Sequence, residues 1–155
     1  MSTPKRPPMA GSTSPPQQFI VDNSVWARLA TTPQIRVALT AIVNAYSPSA
    51  IMTCPPVAAE VGFSARSGQD HTRVMSHLAA FPQCEQSPTN SEVLDIQNRL
   101  WNGGLLRSVG AIDTLIAAYA LRNDAVVLHY DGDFEHVATV TPGFRHQWVI
   151  PRGSA

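Results

Sequence analysis

GAIDTLIAAYALRNDAVVLHYDGDFEHVA, residues 110–138, holds in order a helix, a strand and the start of another helix. Ile112 to Leu121 reads as helical, Ala125 to Tyr130 as a β-branched strand, and Asp133 opens a short helix. An apolar strand set between two helices fits a parallel sheet covered on both faces. The rest of the chain repeats this alternation. Phe19-Ile-Val is a short buried strand, and Asp22-Asn-Ser supplies helix-starting side chains for Val25–Ala30.

Pro33 opens a helix through Tyr46, with Ile35, Leu39, Ile42 and Val43 as its apolar stripe. Ala50–Cys54 reads as a second strand. Pro55-Pro56 start a helix to about Arg66 that carries Val57, Glu60 and Val61, and another helix runs from about Gln69 to Phe81. Pro82 and Pro88 bracket a short strand candidate. Asn90 to about Trp101 is helical and is ended by Gly103-Gly104, and a last strand covers Gln147–Ile150. The expected architecture is one three-layer α/β domain over residues 19–151, with a central, mainly parallel sheet of four or five strands flanked by helices. Residues 1–18, rich in Pro, Ser, Thr and Gly, read as a disordered arm, and 152–155 as a short tail.

Composition narrows the chemistry. The 155 residues carry 11 basic and 11 acidic side chains, so the molecule has no general attraction for nucleic acid, and any such contact must be local. Lys5 is the only lysine and lies in the arm. A lysine-dependent phosphate-binding loop, a Schiff-base enzyme and the lysine-containing phosphoaspartate folds are therefore excluded. Cys54 and Cys84, without a CxxC spacing, fit buried thiols in a reducing cytoplasm. No run approaches the ~18 apolar residues of a membrane span, and no apolar stretch follows Lys5-Arg6 as in a secretion signal.

The carboxylates carry the functional signal. Asp22 follows the first strand directly, and Asp131 and Asp133 follow the strand Ala125–Tyr130. In an open parallel sheet such positions converge on one crevice beyond the strand C-termini. Glu60 and Asp113 stand among small or apolar neighbours, on helices that can lead away from the same edge. Taken singly, each has an ordinary explanation as a helix cap, a solvated helix residue or a turn. Taken together, five of the eleven acidic residues can converge on one spot. Such a cluster takes up protons unless a cation neutralises it, and an all-oxygen donor set suits Mg²⁺ or Mn²⁺. Phosphodiester hydrolysis by metal-activated water is the chemistry that follows.

Four blocks resemble the PIN-domain family, and specifically the VapC-type toxins of bacterial toxin–antitoxin pairs: FIVDNSVW (19–26), VAAEVGFSA (57–65), GAIDTLIAAYAL (110–121) and VVLHYDGDFEHVA (126–138). Their order and spacing are specific where any one alone is weak. The resemblance implies metal-site roles for Asp22, Glu60 and Asp113, with Asp131 or Asp133 as the fourth carboxylate. Ser24 matches the small hydroxyl position beside the first Asp, hydrogen-bonding a carboxylate or a metal-bound water. His129 stands where many members have Thr or Ser. The resemblance further implies a cytoplasmic endoribonuclease acting on structured RNA of the tRNA or ribosomal class. It also implies a homodimer, neutralised by a cognate antitoxin whose C-terminal segment crosses the site. Arg107, just before the third block, is the favoured phosphate contact.

Other readings are weaker. The histidines lack a zincin spacing, Asp131-Gly-Asp133 does not continue as a calcium loop, and His129, Asp131, Asp133 and His136 form at most a mixed site. Trp26, Trp101 and Trp148 suit core or dimer packing better than base stacking. The main rival is a PIN module that binds RNA or a partner with little turnover, and a nuclease acting on DNA is the third.

Overall fold

A computed structural model describes residues 16–155. The expected arm lies outside this range except for its last three positions, and Gln18 already belongs to the first strand. Four strands form one sheet: β1 (Gln18–Val21), β2 (Ile51–Met52), β3 (Ala125–His129) and β4 (Arg145–Trp148), in the order β2-β1-β3-β4. Every pairing is parallel, with Val21 opposite Leu128, Ile20 opposite Met52, and His129 opposite Trp148. The central strands β1 and β3 therefore end side by side.

Strand periodicity explains the layers. Phe19 and Val21 of β1, with Val126 and Leu128 of β3, pack into one core with Val25, Ile35 and Ile51. Ile20 and Val127 point the other way, into a larger core with Val57, Leu100, Ile116 and Phe134. Successive side chains alternate across a sheet, so strands that must be apolar on both faces read as unbroken apolar runs.

Among the described residues, seven α-helices cover the two faces: α1 (Asn23–Trp26), α2 (Pro33–Tyr46), α3 (Pro55–Phe63), α4 (Gly68–Leu78), α5 (Asn90–Asn102), α6 (Ala111–Arg122) and α7 (Asp133–Val140). Two have a proline in their first turn, where its missing N–H costs nothing. Thr89 and Glu92 close a capping box on α5, and Ser67 caps α4.

Several expectations shift, among them the second strand, which is only Ile51–Met52, and the helix expected to reach Phe81, which ends at Leu78. The helix expected over Val25–Ala30 is the single turn of α1, after which the chain winds through turns to Pro33. The helix expected to reach Arg66 ends at Phe63, where the Ser64 hydroxyl donates back to the Glu60 carbonyl at 3.0 Å. The strand candidate between Pro82 and Pro88 reduces to one bridge, Gln83 against Thr53. The last strand is Arg145–Trp148, not Gln147–Ile150, because its partner β3 ends at His129.

Candidate functional site

Asp22 stands at the end of β1. Its N–H still donates to Leu128 across the sheet at 2.9 Å, while its side chain turns to cap α1, with Oδ2 accepting the Ser24 N–H at 2.9 Å. An N-cap aspartate satisfies an otherwise orphaned helix donor. Its other oxygen does something different. Asp22 is 3% exposed, and Oδ1 is buried with no hydrogen-bond partner. A carboxylate oxygen shut away from water without a donor is costly unless a cation or proton meets it.

Other carboxylates gather around Asp22. One oxygen each of Asp22, Glu60 and Asp113 lie within 4.8 Å of one another, and Asp113 forms a second such trio with Asp131 and Asp133. All five carboxylates expected from the sequence are thus brought together, with Asp113 as the shared member. Glu60 reaches in from α3, and Asp113 from the first turn of α6 behind its Gly110 cap. Asp131 and Asp133 bracket the tight turn after β3, where the Asp133 N–H donates to Asp131 Oδ1 at 3.0 Å. This is the local side-chain-to-backbone closure that Asx turns use.

The electrostatics follow from crowding. Burial raises the Asp22 carboxyl, the charge of Asp131 raises it further, and hydrogen bonds from Ser24 offset part of the rise. Glu60 is raised by burial and by the charges of Asp22 and Asp131. Asp113 is pushed up to about 8, first by burial and then by Asp22, Asp131 and Asp133. Asp133 is raised by burial and by Asp131. Without a cation the cluster therefore holds protons that ordinary carboxyls lose. No arginine pairs with these five carboxylates among the described residues; the ion pairs lie at Asp70, Glu92, Asp95, Asp124 and Glu135. The donor set fits a hard divalent cation, which seeks oxygen ligands and charge compensation.

A supporting layer lies beneath. The Tyr130 N–H donates to Ser24 Oγ at 2.9 Å, tying the end of β3 to α1. His129 is fully buried, and its Nδ1 accepts the Asp131 N–H at 3.1 Å. Because Nδ1 accepts, the proton sits on Nε2, which donates to His146 Nδ1 at 2.8 Å. Burial, with the charge of His146, lowers His129 to about 3, so it stays neutral. Both ring nitrogens are engaged, which removes His129 from any mixed metal site. Both cysteines are free thiols, Cys54 buried and Cys84 partly so, as expected.

Arg107 lies exposed on the 3-10 turn Leu106–Ser108 just before α6, without an ion-pair partner among the described residues. Two further arginines lie near the site and went unnoticed in the sequence. Arg28 donates to the Ser24 carbonyl at 2.8 Å and lies 5.2 Å over the Tyr130 ring. Its only signal was four-residue helical spacing from Ser24. Arg152, assigned to the tail, approaches Gly132 between Asp131 and Asp133 while pairing with Glu135 at 3.3 Å. No local pattern announced it. Trp26 packs against Phe81, centroids 5.3 Å apart, with its indole N–H on the Val21 carbonyl. Trp148 packs on His129 and Tyr130.

No helix among the described residues is long and apolar enough to cross a membrane. Beside Glu60, a cavity of about 340 Å³ opens, lined by Asn23, Ala59, Glu60, Phe63, Ser64 and Ile112.

Comparison with known proteins agrees with this geometry. The PIN domain family model matches residues 19–140. Ribonuclease VapC51 of Mycobacterium tuberculosis is 36% identical over 138 residues, covering 88% of this chain and 96% of that protein. Ribonuclease VapC18 of the same organism is 31% identical over 139 residues, covering 88% and 98%. Among solved structures, VapBC2 from Rickettsia felis, bound to a DNA fragment from its promoter, superposes with TM-score 0.65 at 12% identity, covering 84% of this chain and 98% of that one. DNA-bound VapBC from Salmonella typhimurium gives 0.63 at 17% identity, covering 84% and 97%. With the acid-lined edge of its parallel sheet, and relatives matched over nearly their full length, this chain belongs to the PIN-domain family, in its VapC group.

Proposed function

We propose that this chain is a Mg²⁺-dependent endoribonuclease, with Mn²⁺ as an alternative ion, and the toxin of a toxin–antitoxin pair. The observation that carries the reading is the buried, partnerless Oδ1 of Asp22, in a carboxylate that comes within 4.8 Å of those of Glu60 and Asp113. Asp22, Glu60 and Asp113 would hold the ion, with Asp131 or Asp133 as the fourth carboxylate. Bound there, the ion supplies Lewis acidity for a phosphodiester and lowers the pKa of water to make the nucleophile.

The chain's own residues do the positioning. Oδ2 of Asp22 is fixed by the Ser24 N–H, leaving Oδ1 free for the ion. Asp113, raised to about 8 and so protonated near neutral pH without a cation, would have to lose that proton to serve as a ligand. Asp131 accepts the Asp133 N–H, and its own backbone N–H is held by His129, which fixes the turn that carries both acids. Arg28, Arg107 and Arg152 supply the local positive charge that a molecule of zero net charge lacks overall.

Structured RNA of the tRNA or ribosomal class is the proposed substrate, supported by the ribonuclease names of the relatives. A cognate antitoxin is the proposed partner, supported by likeness to VapBC assemblies, and a cytoplasmic homodimer is the proposed active form. The nuclease domain is proposed to run from the first strand, which begins at Gln18, through Arg152 at the Asp131–Asp133 turn. Brief expression followed by mapping of new RNA 5′ ends tests the reading. Ends at defined positions, absent with Asp22→Asn, support it, whereas RNA binding without cut ends favours a PIN module that holds RNA without turnover.

A further inference from the structure

Phe63 has the greatest exposure of any large apolar side chain among the described residues, at 92%. The fold gives no reason for this. The buried face of α3 is made by Pro56, Val57 and Val61, and Phe63 contributes nothing to it. A bare aromatic ring forgoes the free energy of burial, so its position asks for a partner.

What lies around it identifies one. Phe63 follows Glu60 by three residues, and such pairs are neighbours on a helix surface. Both line the 340 Å³ cavity, so this pocket shares a wall with the carboxylate cluster. The remaining lining sets apolar Ala59 and Ile112 against the amide of Asn23 and the hydroxyl of Ser64, which lie 3.4 Å apart. A flat aromatic, apolar walls and a few polar groups at one rim suit a heteroaromatic base. Charge points the same way. A molecule with equal acidic and basic counts cannot depend on phosphate attraction alone, and stacking is the source of nucleic-acid affinity that needs no charge.

We infer that the pocket between Phe63, Glu60, Asn23 and Ile112 receives the base of an unpaired nucleotide adjoining the scissile phosphate, with Phe63 as its stacking platform. The inference rests on the ribonuclease reading and sharpens it. Structured RNAs are recognised chiefly at loops and bulges, where a base can leave its own stack. Phe63 is a specificity-determining residue here and takes no part in the bond cleavage.

The test compares wild type, Phe63→Ala and Phe63→Tyr on a short unpaired RNA that wild type cuts, and on copies with one abasic site at each position flanking the cut. Phe63→Ala is expected to raise KM by roughly 5- to 100-fold with kcat little changed, and Phe63→Tyr to restore it. The penalty is expected to vanish on the copy abasic at a single flanking position, because that copy has no base to stack. Unchanged KM in Phe63→Ala overturns the inference, as does an equal penalty on every abasic copy. Loss of binding to the antitoxin or to a second copy of the chain, with RNA cleavage intact, also overturns it by making Phe63 a protein contact. Failure of wild type to cut any RNA defeats the ribonuclease reading and this inference with it, whereas normal wild-type cleavage with an unaffected Phe63→Ala defeats the inference alone.

Discussion

The backbone N–H of Tyr130 donates to the hydroxyl oxygen of Ser24 at 2.9 Å, across 106 residues of sequence. Tyr130 precedes Asp131 and Ser24 follows Asp22 by two, so this bond sets the distance between two of the site's acids. Ser24→Ala leaves the Tyr130 N–H without its acceptor and is expected to cost about 1–3 kcal/mol in urea unfolding. RNA cleavage is expected to fall beyond what the loss of folded protein explains, and Ser24→Thr should retain most of both. A Ser24→Ala protein with wild-type stability and rate would remove the bond from the account.

Asp22→Asn offers a sharper contrast, because it separates stability from function. The buried Oδ1 has no donor, and Asn replaces a charge with an amide that can donate toward Glu60 or Asp113. In EDTA the variant is expected to be more stable than wild type by about 1–2 kcal/mol. With Mg²⁺ the order should reverse, since only wild type gains from binding the ion. Thermal melts of both proteins in the two buffers read this directly.

Stability against pH carries a sign that depends on metal. Asp113 is raised in the folded state to about 8 from an ordinary value of 3.8, so the folded chain binds its proton more tightly. That contribution is complete below about pH 4 and is lost as pH rises through 8. His129, lowered to about 3, works oppositely, adding stability above its ordinary 6.5 that is lost as pH falls. The two slopes oppose each other between about 4 and 6.5, and above that the raised carboxyls remain, Asp113 foremost. In EDTA, Tm is expected to fall from pH 6.5 to 8, and in Mn²⁺ or Mg²⁺ that fall should shrink or reverse. A flat profile in EDTA would show that Asp113 is already ionised.

The arginines predict a salt dependence. If Arg28, Arg107 and Arg152 each meet a phosphate, replacing any one by Ala should weaken RNA binding at low salt. It should also lower the slope of log affinity against log salt by roughly one. An unaltered slope for Arg107→Ala would return it to the role of a plain surface residue.

How much of this was legible in the sequence depends on range. Pro33–Tyr46 was readable to its ends, because a proline at the start and an apolar stripe are local signals. The convergence of Asp22 with Asp131 and Asp133 was readable because strand ends in a parallel sheet must share an edge, and β1 and β3 prove to be neighbours. The register of β4 was not readable. Apolar Val149 and Ile150 attract a strand assignment, but the ladder stops where β3 stops, at Trp148 opposite His129. Nor was the second layer: His129 bonds His146 across adjacent strands, and Arg152 comes back from the C-terminus to the Asp131–Asp133 turn. These contacts depend on topology, which no local pattern records.

The central claim is that the carboxylates around Asp113 cut RNA through a bound divalent ion. The most direct measurement incubates purified wild type and Asp113→Asn with one structured RNA, in Mg²⁺ and in EDTA, and maps the new 5′ ends. Defined ends in wild type with Mg²⁺, and none in EDTA or with Asp113→Asn, are the predicted result. Equal cleavage in EDTA, or by Asp113→Asn, would contradict it.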